Sequence, residues 1–313
     1  MSETLNGLVT RSQSGFLTVE TDKGEYTCRL RGKLKQGEME GDIVAVGDRV
    51  SITPHDDGFG TIDAVHERTT VFSRTRSGIK KDFRQILLAN PDQIVIVFAC
   101  AEPEPHLRML DRFLVIAEKQ EIEALIVANK LDLVTPSQAQ DIFGLYEDLG
   151  YPVLYTSAHT GAGVDALREG LRDKISALAG PSGVGKSSLL NVIQPDLGLH
   201  VRAVSEATSK GRHTTQVREL FPLDVGGYVA DMPGLRSLAL WDIEPEELDA
   251  YFIEIRDLVS ECQFNDCTHS HEPGCAVRKA VEVGKVTPER YASYLRLRFG
   301  DESEDYYDAF FEM

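Results

Sequence analysis

The sequence predicts a multidomain protein in three parts: an all-β segment, an α/β segment, and a cysteine-rich helical segment. Three observations carry that expectation. Short β-type runs divided by turn residues fill residues 5–71, apolar strand runs alternate with helical periodicity from residue 93, and three of the 5 cysteines fall within Cys262–Cys275. The divisions expected are 1–70, 71–240 and 241–313.

In the first part the candidate strands are Gly7–Thr10, Gly15–Glu20, Glu25–Leu30, Gly47–Thr53 and Gly60–Val65. Strands this short and this closely spaced, with little helical period between them, predict a small β-barrel of the OB type. Such barrels often bind oligonucleotides, but a scaffold or protein-docking use of the fold is equally open. A basic stretch follows, in which Arg68, Arg74, Arg76, Lys80, Lys81 and Arg84 face Asp82 alone. It is a candidate RNA contact or a solvated basic loop.

The second part opens on Gln93–Ala99, a continuous apolar run of the kind buried on both faces in a parallel sheet. Leu107–Lys119 then places Leu107, Leu110, Phe113, Leu114 and Ala117 at helical spacing. Strand Ala124–Ala128, helix Ser137–Leu149, strand Val153–Thr156, helix Val164–Lys174 and strand Ile175–Ala179 complete an alternation that predicts a doubly wound sheet.

That last strand runs into Gly180-Pro181-Ser182-Gly183-Val184-Gly185-Lys186-Ser187-Ser188, which fits the phosphate-loop pattern G-x-x-x-x-G-K-[ST]. Glycines let the chain turn sharply enough for successive backbone N–H groups to face a phosphate. Lys186 would reach the β- and γ-phosphate oxygens, and the Ser187 hydroxyl would ligate Mg²⁺. Asn129-Lys130-Leu131-Asp132 follows an earlier strand. A carboxylate is acceptor-only, so Asp132 can take the N1–H and N2–H₂ donors of guanine, whereas adenine has an unprotonated N1 there. Lys130 would pack its stem over the nucleotide, and Asn129 would tie this loop to the phosphate loop. Ser157-Ala158 follows the next strand, where the Ala158 N–H could donate to guanine O6. Farther on, Asp231-Met232-Pro233-Gly234 matches Asp-x-x-Gly, with Asp231 for Mg²⁺ and the Gly234 N–H for the γ-phosphate. Gly211–Thr215 lies between these, where a first switch loop would offer Thr214 or Thr215 to the metal.

The order of these motifs is unusual. Ordinary GTPases place the phosphate loop first and Asn-Lys-x-Asp late. Here residues 129–132 and 157–158 precede 180–188, 211–215 and 231–234, so the domain is circularly permuted. Permutation is tolerated because domain termini lie near one another at the surface. One consequence is that the second switch feeds directly into the C-terminal segment.

With these motifs the chain resembles the bacterial and organellar circularly permuted GTPases that mature the small ribosomal subunit, the RsgA type. The resemblance spans nearly the whole chain. It implies GTP hydrolysis stimulated by the small subunit, contact with its rRNA, and a role late in subunit assembly. Many GTPases orient the attacking water with a glutamine after Asp-x-x-Gly, but Leu235 stands at that place. In the family the histidine of Gly-Arg-His-Thr-Thr is implicated instead, which points to His213.

In the third part, Cys262, Cys267, His269 and Cys275 offer three thiolates and one imidazole, a set suited to one closed, structural Zn²⁺ site. His271 competes with His269; the family's Cys-x-His pattern selects His269. Helical patterns surround the cluster at Pro245–Val259, Ala276–Val283 and Pro288–Arg298, the last carrying Arg290, Arg296 and Arg298 toward RNA or solvent. Residues 301–313 form an acidic, aromatic-bearing tail.

Composition bounds the function classes. The chain has 313 residues, 42% hydrophobic and 27% charged, as in globular proteins. Its net charge of −17 argues against nonspecific nucleic-acid binding by the whole surface, so RNA contact must be local. No apolar run is long enough to span a bilayer, and the first residues lack the basic and apolar regions of a signal peptide. The expectation is a cytoplasmic monomer that engages GTP or GDP and the small subunit, and no membrane. Two other readings stay open: a GTP-binding switch with a protein effector, and a P-loop small-molecule kinase, which the Asn129–Asp132 motif disfavours.

Overall fold

The computed structural model describes residues 4–35, 42–75, 84–195, 218–231 and 243–300. The first strands are β1 (Leu5–Gln13), β2 (Phe16–Thr21), β3 (Gly24–Leu30), β4 (Arg49–Pro54) and β5 (Phe59–Val65). They pair in the order β1-β2-β3-β5-β4, and β4 returns to β1, which closes the barrel. Only β3 and β5 run parallel. Alternate residues point inward, so Val9, Leu17, Val19, Cys28, Val50, Ile52 and Ile62 fill the barrel. The OB-type expectation agrees with this closure.

Arg68 is not available as an RNA contact. Its Nε and Nη2 each reach a different oxygen of the fully buried Asp48 at 2.7 Å. Asp48 also accepts from Ala45 N–H at 2.7 Å, so the pair fixes the turn before β4. Residues 76–83, the centre of the basic stretch, lie outside the described residues. On either side, β6 (Val71–Thr75) and β7 (Arg84–Ala89) form a two-stranded antiparallel sheet, where no strands were expected.

The second part is one sheet built from β8 (Gln93–Ala99), β9 (Glu123–Asn129), β10 (Val153–Tyr155), β11 (Ile175–Ala179), β13 (Phe221–Pro222) and β14 (Tyr228–Asp231). A further two-residue strand, β12 (Arg218–Glu219), joins the barrel. The sheet order is β10-β9-β8-β11-β14-β13. Every neighbour pair is parallel except β13 with β14. Helices α1 (Leu107–Lys119), α2 (Pro136–Asp148), α3 (Val164–Leu171) and α4 (Lys186–Ile193) cover it. The period of two in β8 sends Ile94, Ile96 and Phe98 to the core beneath α1 and α2, and Val95, Val97 and Ala99 to the core beneath α3 and α4. Helix α2 begins at a full capping box between Thr135 and Gln138, with Pro136 in the first turn.

The C-terminal part holds α5 (Ile253–Arg256), α6 (Ala276–Glu282) and α7 (Pro288–Phe299). The single helix expected over Pro245–Val259 is instead a 3₁₀ segment, Pro245–Tyr251, followed by α5. Phe252 breaks it with extended backbone, and its ring drops edge-on against Tyr294 with centroids 5.6 Å apart. Burial of Phe252 wins over helical continuity.

Arg290 was a candidate RNA contact, and it is buried instead. Its guanidinium bonds Glu254 at 2.6 and 3.0 Å and Asp111 at 2.6 Å, and it stacks on Phe252 at 4.5 Å. Tyr146 O–H donates to the same Asp111 at 2.8 Å. Asp111 lies on α1 and Tyr146 on α2, so one buried cation fastens the C-terminal part to the α/β domain. Arg290→Met would strand two buried carboxylates. It is expected to cost about 3–5 kcal/mol, read as a lower urea midpoint for the unfolding of this unit.

Candidate functional site

Strand β11 stands between β8 and β14, with Ala179 opposite Ile96 and Leu178 opposite Asp231. Chain order reverses here: β8 leads by α1 toward β9 and β10, while β11 leads by α4 toward β14. Open α/β sheets bind ligands in the crevice outside the carboxyl ends of such a switch point. Residues 180–188 leave β11 at that crevice.

Two glycines there permit no side chain. Gly180 has φ +129°, and a Cβ on it would lie 2.1 Å from the Val97 carbonyl oxygen. Gly185 has φ +96°, and its Cβ would meet Asn129 Nδ2 at 2.3 Å. Val184 is buried, whereas Ser182 and Gly183 are exposed, so the loop is anchored at one residue and open beside it. Lys186, in the first turn of α4, folds back across the loop and donates to Gly180 O at 2.7 Å and Pro181 O at 2.6 Å. Ser187 follows it, half-buried.

Asn129, the last residue of β9, is buried and joins three loops. Its Nδ2 donates to Val184 O at 2.8 Å, and its Oδ1 accepts from Thr156 Oγ1 and Ala158 N, both at 3.2 Å. The loops after β9 and β10 and the phosphate loop are therefore one hydrogen-bonded unit. Lys130 has left-handed backbone at φ 63°, and its ammonium group donates to the Glu102 carbonyl. Ser157 Oγ donates to Asp132 and itself accepts from Thr160 N–H at 3.1 Å. That hydroxyl is the main reason the exposed Asp132 carboxyl sits below its ordinary pKa. It keeps Asp132 ionised and acceptor-only, the state that suits two N–H donors on one edge of a base.

The sheet brings Asp231 beside the phosphate loop as the last residue of β14. Gly211–Thr215, with His213, Thr214 and Thr215, and also Gly234, lie outside the described residues.

A second cluster lies in the C-terminal part. One ligand atom from each of Cys262, Cys267, His269 and Cys275 lies within 4.8 Å of all the others. His269 Nδ1 is 3.6 Å from Cys262 Sγ and 3.5 Å from Cys275 Sγ, and the two sulfurs are 4.0 Å apart. A tetrahedron with metal–sulfur bonds of about 2.3 Å and metal–nitrogen bonds of about 2.0–2.1 Å has edges of about 3.8 and 3.6 Å. The cluster fits one such ion. Backbone N–H groups also point at the sulfurs, Ala276 N to Cys262 and Arg278 N to Cys275, both at 3.4 Å, so the start of α6 donates to both.

His271 is not in this cluster; its Nδ1 pairs with Ser270 Oγ at 2.8 Å. Sequence reasoning missed the groups that hold the cluster in place. Asp249 faces His269 Nε2 at 3.4 Å, which directs Nδ1 at the sulfurs. Tyr291 and Tyr294 of α7 donate to the carbonyls of His269 and Thr268 at 2.6 and 3.1 Å. Glu272 accepts the N–H groups of Thr268, Ser270 and His271 at 2.8–3.2 Å. None of these has a local pattern that marks it.

The parallel sheet with its phosphate loop, preceded in the chain by the Asn-Lys-x-Asp loop, defines a circularly permuted GTPase domain. The family model described as RsgA GTPase matches residues 65–241, and that described as RsgA N-terminal domain matches residues 6–62. The small ribosomal subunit biogenesis GTPase RsgA of Gemmatimonas aurantiaca is 48% identical over 303 residues, covering 95% of this chain and 98% of its own. The protein of that name from Thermotoga petrophila is 42% identical, covering 95% and 97%. The crystal structure of YjeQ from Thermotoga maritima superposes with a TM-score of 0.77 at 38% identity over 95% of this chain and 98% of that one. YloQ, described as a circularly permuted GTPase, gives 0.72 at 33% identity over 97% and 96%. The chain belongs to the RsgA GTPase family.

Proposed function

We propose that this chain hydrolyses GTP to GDP and phosphate on the small ribosomal subunit, late in its maturation. The observation that carries the reading is similarity over 95% of the chain to a protein named for small ribosomal subunit biogenesis, on a framework with its nucleotide motifs in permuted order. In this reading Asp132 reads guanine, Ser157 orients Asp132, Ala158 offers its N–H to guanine O6, Asn129 holds the loops together, and Lys130 packs over the nucleotide. Residues 180–188 cradle the phosphates, with Lys186 swinging from its own loop carbonyls to phosphate oxygens. Bound Mg²⁺ neutralises charge on those oxygens; Ser187, Asp231 and Thr215 are the side chains for it, and Gly234 N–H faces the γ-phosphate. Cys262, Cys267, His269 and Cys275 would hold one Zn²⁺ with all four side chains, which suits a structural role.

The division of labour follows the domains 1–70, 71–240 and 241–313: a barrel that docks on rRNA, a switch domain, and a zinc-stapled arm. The protein works as a cytoplasmic monomer. Among the described residues no helix is long and apolar enough to cross a membrane.

His213 is the group proposed to act on the attacking water, since the Leu235 side chain has no hydrogen-bonding atom for it. His213→Ala is therefore expected to pellet with small subunits and bind GTP as the parent does, while its stimulated turnover falls about 10²-fold or more. Sedimentation, nucleotide titration and phosphate release measured on one preparation separate these effects. A parent protein that does not pellet with small subunits in any nucleotide state would remove the ribosomal reading. Unchanged turnover in the variant would remove His213.

A further inference from the structure

The barrel and the switch domain share one run of chain. Residues 218–222 first pair with β1: Arg218 lies opposite Ser12 and Glu219 opposite Arg11. Leu220 N–H donates to Thr10 O at 2.7 Å, and Phe221 is already opposite Val229 in the other sheet. The buried Leu220 is the single residue in transit between the two sheets.

Strand β1 is shaped to receive this run. Leu5–Leu8 is covered by β4 and Val9 bonds the Gly47–Asp48 turn before it, which leaves Thr10–Gln13 of that edge for β12. A register shift between Val9 and Arg11 puts an extra residue, Thr10, into the ladder with β2. A bulge re-aims the backbone at that point, and the re-aimed Thr10 carbonyl is the one that takes Leu220. Beside it, burial first and the neighbouring Glu20 carboxylate of β2 second push the Tyr228 hydroxyl of β14 up to about 12.

The position of this run in the chain gives the link its meaning. Strand β12 starts three residues after Thr215, and β14 ends on Asp231. The hairpin β13–β14 is thus bounded by the two stretches read above as switch loops, one offering Thr214 or Thr215 to Mg²⁺ and the other the Gly234 N–H to the γ-phosphate. Extended chain rises about 3.3 Å per residue and has no slack. The hairpin cannot move relative to β1 without breaking Leu220–Thr10, and β14 cannot slide while Leu220 stays on Thr10 unless Phe221–Val229 breaks.

We propose that the Arg218–Pro222 run couples the nucleotide site to the barrel: a change of nucleotide moves the hairpin and, through Leu220, loosens or tightens the β1 edge. By linkage, a ligand seated on the barrel biases the nucleotide site by the same free energy. The proposal rests on reading residues 180–188 as a guanine-nucleotide site, and its test keeps the two claims apart.

Amide hydrogen exchange is followed on the full chain with GDP and with a non-hydrolysable GTP analogue, with binding of each measured by calorimetry on the same samples. The amides of Ser12 and Leu220 are expected to change protection at least about tenfold between the two states, while those of β3 stay constant. Binding of both nucleotides with equal exchange at Ser12 and Leu220 overturns the coupling. Failure to bind either nucleotide overturns the nucleotide-site reading instead. Leu220→Pro removes the donor to Thr10 and is expected to bind nucleotide yet lose the difference at Ser12. Persistence of that difference also overturns the proposal, and the parent comparison decides the matter if this variant does not fold.

Discussion

Asp132→Asn is expected to lower GTP affinity about 10²–10⁴-fold and to create affinity for xanthosine triphosphate. In the proposed site the parent carboxylate offers two acceptors to guanine N1–H and N2–H₂. Asparagine keeps one acceptor and turns the other into a donor, which meets the N2–H₂ donor head-on. Xanthine carries an oxygen in place of that amine and restores the complement. Ser157 keeps a partner in either case, because its hydroxyl can donate to an amide oxygen as well as to a carboxylate. Titration of both nucleotides onto parent and variant checks this. Unchanged GTP affinity would mean that the base is read elsewhere.

The second large effect concerns the metal cluster. Structural Zn²⁺ contributes about 10–16 kcal/mol of apparent binding free energy in small modules, a large amount beside the stability of any one domain. Cys275→Ser removes a buried ligand that also caps α6. It is expected to lower bound zinc from one ion per chain to none and to release Tyr291 and Tyr294 from their carbonyl partners. Elemental analysis reads the first change, and the near-ultraviolet circular dichroism of tyrosine reads the second. GTP binding is expected to survive, because the phosphate and base loops hang on the sheet rather than on this cluster. Full zinc occupancy in Cys275→Ser would show that the four-ligand assignment is wrong.

Local patterns made much of the molecule legible in advance. The phosphate loop, the Asn129–Asp132 loop and the cysteine–histidine cluster each depend on residues close together in sequence, and the barrel strands alternate clearly enough to be counted. Contacts set by distant partners were not legible. Arg290 and Arg68 read as surface cations because the carboxylates that bury them, Asp111 and Asp48, lie 179 and 20 positions away. The break at Phe252 depends on Tyr294, and β12 is too short to carry a periodic signal.

The same contacts refine how the C-terminal arm is attached. The motif order suggested that it hangs directly from the second switch. Arg290 instead fastens it to α1 and α2, which flank strand β9 in the chain, and Lys119–Glu247 and Arg256–Glu118 add surface ties to α1. The arm therefore has two attachments to the α/β domain: the chain that follows β14, and a buried ion cluster on α1 and α2.

The most direct test of the central claim is the rate of phosphate release from GTP by the full chain, alone and with purified small ribosomal subunits. A permuted GTPase whose site is completed by its partner turns over slowly alone, since such completion can contribute about 10³–10⁵ in rate. Stimulation by tens-fold or more with small subunits, and none with an unrelated structured RNA, is the predicted result. Turnover that is the same with and without small subunits would contradict the account.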